Sequence, residues 1–207
     1  MTRKKTFSLL LLTSSLPLCA LDKSTSETAT RWDQRCFLEA RASYFRPESK
    51  RLREIYHQCW ADYQLLLGYE PGCKINLIGT VNLMQESGKT IGGRNHTTIL
   101  VIPLGLEVRY RYWSSSHWDL YAGIGPRYYF LKVHDHSPDM RRHISRQGWG
   151  GVAETGALWT PHHSFFLDLF LAYSYQKMGP PSLGDKIEGL SVTLGGLEAG
   201  GGIGWRF

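Results

Sequence analysis

The chain has 207 residues, a formal net charge of +6, 42% hydrophobic and 20% charged residues. That length suits one domain, the balance excludes a disordered chain, and 4 cysteines are too few for a disulfide-built scaffold. No run of 18 apolar residues occurs, so nothing reads as a membrane-spanning helix, yet 22 glycines and 7 Trp, 11 Tyr and 8 Phe are an unusual excess.

The first element is an address. Arg3, Lys4 and Lys5 precede the apolar stretches 7–12 and 16–18, which end at Cys19-Ala20. A basic start, a short apolar middle and a small final residue define a secretory signal peptide. Cleavage is expected after Ala20, with lipid attachment at Cys19 as the alternative. Three positive charges and no negative ones leave with residues 1–20, so +6 becomes +3. Half of the basicity therefore belongs to the signal, and a nucleic-acid partner is not expected. Residues 21–35 are short-sided and polar and read as a periplasmic leader.

From Cys36 to Phe207 the hydrophobic period is two, the signature of strands. In 97–112, Leu100, Ile102, Leu104, Leu106, Val108, Tyr110 and Tyr112 share one face. Val101, Pro103, Gly105, Glu107, Arg109 and Arg111 share the other. Segments 118–133, 164–178 and 189–207 repeat the pattern. Eight strands are predicted, at 36–45, 59–70, 74–85, 97–112, 118–133, 148–160, 164–178 and 189–207. Their connections alternate between tight turns and long polar loops, as in an up-and-down meander that eight strands can close. The predicted fold is all-β, an eight-stranded antiparallel up-and-down transmembrane β-barrel over 36–207.

The choice of faces separates a lipid-facing barrel from a soluble barrel with an apolar ligand inside. Eight bulky apolar faces overfill a lumen that only just accommodates side chains. The opposite faces combine glycine with Glu39, Arg41, Glu107, Arg109, Arg111, Arg127, Glu154, Asp168, Glu198 and Arg206. Five acids and five bases on that face predict a paired, plugged lumen. Tyr44, Trp60, Tyr69, Tyr110, Tyr112, Trp113, Trp118, Tyr173, Tyr175 and Trp205 fall at strand ends, where interfacial girdles lie. A closed barrel satisfies its backbone hydrogen bonds between strands, so it crosses a bilayer without an apolar helix.

The C-terminus, Gly202-Ile203-Gly204-Trp205-Arg206-Phe207, makes the chain resemble the small outer-membrane β-barrel proteins of the OmpX type. In that family a terminal aromatic, a second aromatic two before it and an earlier glycine form the signal read by the barrel-assembly machinery. Gly202, Trp205 and Phe207 fit that pattern, while Gly200 stands where a polar residue is usual. The resemblance implies an outer-membrane location in a Gram-negative-type cell, periplasmic termini and long loops at the surface. It also implies contact with outer-membrane lipid and lipopolysaccharide.

No catalytic group, metal or cofactor is expected. The alternative of a lipid A-modifying enzyme needs a nucleophile, base and orienting carboxylate in reach of one another, and His162-His163-Ser164 lies in a tight turn instead. His134, His136 and His143, with Asp135 and Asp139, lack a defined third metal ligand. Loop 46–58, with Lys50, Arg51 and Arg53, and loop 134–146, with Arg141, Arg142 and Arg146, are basic. Their expected partners are lipopolysaccharide phosphates or a host or extracellular polyanion. Pro47-Glu48 predicts a short helix in the first of them. Cys36 and Cys73 fall at the same rim on neighbouring strands and are expected to form a disulfide, leaving Cys59 unpaired.

Overall fold

The computed structural model describes residues 35–71, 74–89, 96–135, 143–162, 164–178 and 192–207. The signal peptide, most of the leader, Cys73, His136, Asp139, Arg141, Arg142 and His163 lie outside them. Strands β1 (Cys36–Pro47), β2 (Trp60–Tyr69), β3 (Ile75–Lys89), β4 (His96–Ser114), β5 (Trp118–Asp135), β6 (His143–His162), β7 (Phe165–Met178) and β9 (Gly196–Arg206) form one antiparallel meander. β1 pairs with β9 as well as β2, and β7 pairs with both β6 and β9, so the sheet closes on itself. A two-residue strand, β8 (Val192–Thr193), adds to the end of β7. Helix α1 (Lys50–Tyr56) occupies the first long connection.

Both chain ends of the barrel meet at the short-turn end. Cys36 N donates to Phe207 O at 3.2 Å and Phe207 N donates to Cys36 O at 2.8 Å. The β4–β5 turn on this end is closed by Ser115 N donating to Trp118 O at 2.7 Å. The opposite end carries α1 and the long connections.

The barrel extends further at the long-loop end than alternation alone indicates. β3 runs on to Lys89, and β6 begins at His143, where His134 pairs with His143. The last wall strand begins at Gly196, later than the expected 189. In the extensions of β3 and β6 the sequence is mostly polar, with Ile144 the one large apolar residue, so no hydrophobic period marks them, and ladder hydrogen bonds carry the strands onward.

Inside, the side chains form tiers. Along β1 the inward order from the short-turn end is Phe37, Glu39, Arg41, Ser43, Phe45, all buried. Along β2 it is Leu66, Gln64, Asp62, Trp60, and along β3 Ile78, Thr80, Asn82, Met84. Polar groups are thus bracketed by apolar ones. At the long-loop end Leu52 and Tyr56 of α1 pack with Phe45, Trp60, Met84, Ile99, Val101, Tyr129, Leu131 and Leu194. Phe45 and Tyr56 rings lie 5.6 and 5.9 Å from Trp60. Trp60 is 0% exposed, so it is a core residue and not part of a girdle; α1 covers it, and the sequence of β2 gives no sign of that. At the other end Phe37 and Phe166 meet edge to face at 5.6 Å. Gly68 and Gly204 make this pair fit, since a Cβ on either would overlap the Phe37 or Phe166 ring.

Candidate functional site

Between the two apolar tiers lies a buried charge network held by side chains from nearly every strand. Arg41 on β1 donates to Glu39 (2.5 Å), to Glu154 on β6 (3.1 Å) and to Asp168 on β7. Arg109 on β4 pairs with the same Glu154 and, at 3.5 Å, with Glu39. The Tyr121 hydroxyl accepts from Arg41 at 3.0 Å and donates to Asp168 at 3.0 Å. The guanidiniums also lie over aromatic faces, Arg41 over Phe170 at 4.3 Å and Arg109 over Tyr121 at 4.7 Å, a favourable cation–π placement. Gly202 leaves room for this, because a Cβ there would sit 2.6 Å from Arg41 Cγ.

A second group lies nearer the long-loop end. Arg127 on β5 bridges Glu107 on β4 (3.1 Å) and Glu198 on β9 (3.0 Å). Gln64 donates to Glu198 at 3.1 Å and to Asp62 at 2.6 Å, and Asn82 donates to Asp62 at 3.1 Å.

Eight of the ten residues expected in the lumen meet in these buried pairs. Arg111 and Arg206 sit instead at the rim, where Arg111 reaches Glu70 (3.8 Å) and Asp119 (3.9 Å), and Arg206 reaches Glu70 (3.5 Å). Asp62 was absent from the expected set, although its parity on β2, two residues from Trp60, places it inward. The balance of five against five is corrected accordingly. Among the described residues the buried carboxyls are Glu39, Asp62, Glu107, Glu154, Asp168 and Glu198, against the guanidiniums of Arg41, Arg109 and Arg127. Neutral donors from Tyr121, Gln64, Asn82 and Ser43 supply hydrogen bonds where cations run short, as buried carboxylates require.

The basic loops separate into different environments. Lys50 and Arg53 belong to α1; Lys50 is exposed, and Arg53 donates to Pro47 O at 2.8 Å. Arg51 lies on the same helix. Arg53, Glu54, His57, Ser87, Gly88 and His96 line a hollow of about 600 Å³ between α1 and β3. Arg146 is not in a surface loop: it lies on β6 opposite Leu131, with Nε and Nη1 buried. Sequence reading misplaced it because β6 starts five residues before its hydrophobic alternation does. Cys36, half-buried at the short-turn rim, and the exposed Cys59 are both free thiols in this structure, and Cys73, the expected partner of Cys36, is outside the described residues. Among the described residues, no group of three or more His, Cys, Asp and Glu is placed to hold a metal.

The outer wall is the reverse of the lumen. The outward residues from Leu38 to Tyr44, Ala61 to Tyr69, Ile75 to Leu83, Leu100 to Tyr112, Leu120 to Phe130, Trp149 to Trp159, Leu167 to Tyr175 and Leu197 to Trp205 are all uncharged. Leu106, Ile124 and Leu169 are 69%, 69% and 63% exposed. Tyr44, Tyr69, Tyr110, Tyr112, Trp113, Trp118, Tyr173, Tyr175 and Trp205 are exposed near strand ends. Trp205 and Phe207 of the C-terminal pattern also face outward.

A closed eight-stranded meander with charges buried inside and an apolar outer wall has the architecture of the small outer-membrane β-barrels. Solved structures of that class share the fold. The outer membrane protein OprG from Pseudomonas aeruginosa aligns with a TM-score of 0.56 and 13% identity, covering 84% of this chain and 97% of its own. Neisserial surface protein A aligns with a TM-score of 0.55 and 13% identity, covering 83% and 97%. Ail, the attachment invasion locus protein of Yersinia pestis, solved in complex with the heparin analogue sucrose octasulfate, aligns at 0.52 and 16%, covering 84% and 97%. No family model and no curated protein sequence matches the chain.

Proposed function

We propose that this chain is an integral outer-membrane barrel with a structural or surface-interaction role, exported by residues 1–20 and displaying its long-loop end outside the cell. The observation that carries this reading is the uncharged, exposed apolar wall around a buried charge network. Apolar area gains about 25 cal/mol per Å² on leaving water, so a wall of leucine, isoleucine and tyrosine is stable where lipid covers it. The lumen does not conduct in this reading, because α1 and the Trp60 cluster close one end and the ion pairs fill the middle. Helix α1, which carries Lys50, Arg51 and Arg53, then lies at the cell surface, where lipopolysaccharide or an extracellular polyanion is its partner. Binding of a sulfated sugar by a barrel of the same fold supports that use. Gly202, Trp205 and Phe207 serve as the assembly signal, and Cys36 pairs with Cys73 at the periplasmic rim.

Heat-modifiable gel migration tests the core of the reading. Protein refolded in detergent is expected to run at a different position unheated than boiled, because a closed barrel survives unheated detergent. A single position for both samples counts against a membrane barrel. Mass mapping under non-reducing conditions tests the disulfide, which is wrong if both cysteines are recovered as free thiols.

A further inference from the structure

We propose that the outward wall of β5, β6 and β7 is a binding site for the lipid A part of lipopolysaccharide. The inference rests on the outer-membrane reading with the long loops outside. Its starting point is a hollow of about 620 Å³ in the outer wall. Register places Ile124, Ala153 and Tyr173 side by side, with Pro126, Gly151 and Tyr175 in the next row. Gly151 and Ala153 form the floor, and Ile124 and the two tyrosines form the sides. The lining is apolar apart from the hydroxyls of Tyr173 and Tyr175, the first of which donates to Glu48 at 3.0 Å, and its apolar floor suits an acyl chain.

Next toward the long loops comes a ledge of aromatic rings. Tyr128 packs against Trp149 at 4.9 Å and 65°, and against Phe130 at 5.0 Å and 77°. Trp149 is 70% exposed, so the ring belongs to the surface and adds little to the barrel's own packing. A broad aromatic face of this kind stacks on the C–H face of a sugar ring. Beyond the ledge on the same outward face, Lys132 is exposed beside Ser145, followed by His134. Pro126 and Lys132 are six residues apart, roughly 20 Å of strand, which at a tilt near 40° is about 15 Å along the bilayer normal. An ammonium at headgroup depth pairs with phosphate.

The order hollow, aromatic ledge, cation repeats the order acyl chain, sugar, phosphate. A phosphorylated glycolipid has all three in that sequence. A glycerophospholipid has the first and third and nothing for the ledge to stack on. That difference commits the site to lipid A.

The experiment is native mass spectrometry of the full mature barrel released from nanodiscs that contain lipid A and phosphatidylethanolamine in equal amounts. Wild-type protein is expected to leave with lipid A bound in preference to phospholipid. Gly151→Leu fills the hollow; its new Cβ meets only Gly125 O, at 3.7 Å, so the backbone accommodates it. Gly151→Leu and Trp149→Ala are each expected to lower lipid A retention roughly tenfold, as loss of about 1.4 kcal/mol of binding does. Leu65→Ala, outward on β2 and away from the site, is expected to retain it fully. Lys132→Gln is expected to remove the preference for diphosphorylated over monophosphorylated lipid A. Equal retention by Gly151→Leu and Trp149→Ala, or preferential retention of phosphatidylethanolamine by wild type, overturns the site while leaving the barrel reading standing. Unheated gel migration of each sample reports folding. Failure of wild-type protein to migrate as a folded barrel removes the outer-membrane reading itself.

Discussion

At the scale of single residues, side chains are placed opposite to those of a water-soluble protein. Arg41 is buried and touches three carboxylates, whereas Leu106 is mostly exposed. Arg41→Met leaves Glu39 and Glu154 with Arg109 and Asp168 with the Tyr121 hydroxyl. Breaking a buried pair by removing one partner costs about 3–5 kcal/mol, so the urea midpoint of protein folded in vesicles is expected to fall sharply. A second change, Asp168→Asn in the Arg41→Met background, is expected to recover part of the loss by removing one stranded charge. Leu106→Arg tests the outside. On a lipid-facing wall near the midplane it costs about 2–4 kcal/mol, measured by the same vesicle unfolding. On a water-facing wall it costs almost nothing, so an unchanged midpoint contradicts lipid exposure.

At the scale of elements, the strands carry features that a plain alternation does not contain. Pro103 and Pro126 sit inside β4 and β5, where a proline lacks the N–H for one ladder bond. Two pairs are missing from the β3–β4 ladder between Val81↔Leu104 and Met84↔Val101, and two from the β4–β5 ladder between Gly105↔Arg127 and Val108↔Ile124, with the register unchanged across each gap. Each proline therefore faces its missing N–H toward a ladder that is already interrupted, and keeps the other neighbour paired. Helix α1 is the second such feature. Seven residues are too few to be stable alone, and α1 is held by Leu52 and Tyr56 packing on the Trp60 cluster. Gly88 allows that seat, because a Cβ there would overlap Ile55 O. If α1 closes the long-loop end, the pair Leu52→Asp and Tyr56→Ala is expected to raise the swelling rate of protein-loaded liposomes in small sugars. Folded migration should persist, since the strand ladders are untouched. An unchanged swelling rate means that the lumen is sealed below α1.

At the scale of the whole molecule, closure joins β1 to β9 and brings the first and last barrel residues together. Phe207 contributes one backbone pair to that seam and an exposed ring outside it. A structural role and a signalling role for Phe207 therefore separate cleanly by experiment. Deleting Phe207 is expected to lower the amount of folded barrel in the outer membrane of expressing cells while leaving refolding in detergent nearly as efficient as before. Equal loss in both settings assigns Phe207 to the seam alone.

Strand identity, facing and the closed meander were legible in residues 36–207 because a period of two is a local property: each side chain points to the opposite face from its neighbour. The same parity placed Glu39, Arg41, Glu107, Arg109, Arg127, Glu154, Asp168 and Glu198 inside before any partner was known. Which of them meet was not legible. Arg41 and Glu154 are separated by 113 positions, and their contact depends on the stagger of β1 against strands that it does not even pair with. Trp60 shares the inward parity of Asp62, Gln64 and Leu66, and was misread because its place at a strand end was weighed above that parity; its cover by α1 was not legible. Arg146 and the far ends of β3 and β6 were hidden because hydrogen-bonded ladders continue where hydrophobicity stops. The sequence by itself determined the wall, its apolar outside and its polar inside, through alternation that any single strand displays. Only the tertiary structure decided the ion pairs, because closure assembles them from strands far apart in the chain, and the helix-covered mouth and the hollow beside Trp149, because these depend on how α1 seats on the barrel and on the register of β5, β6 and β7.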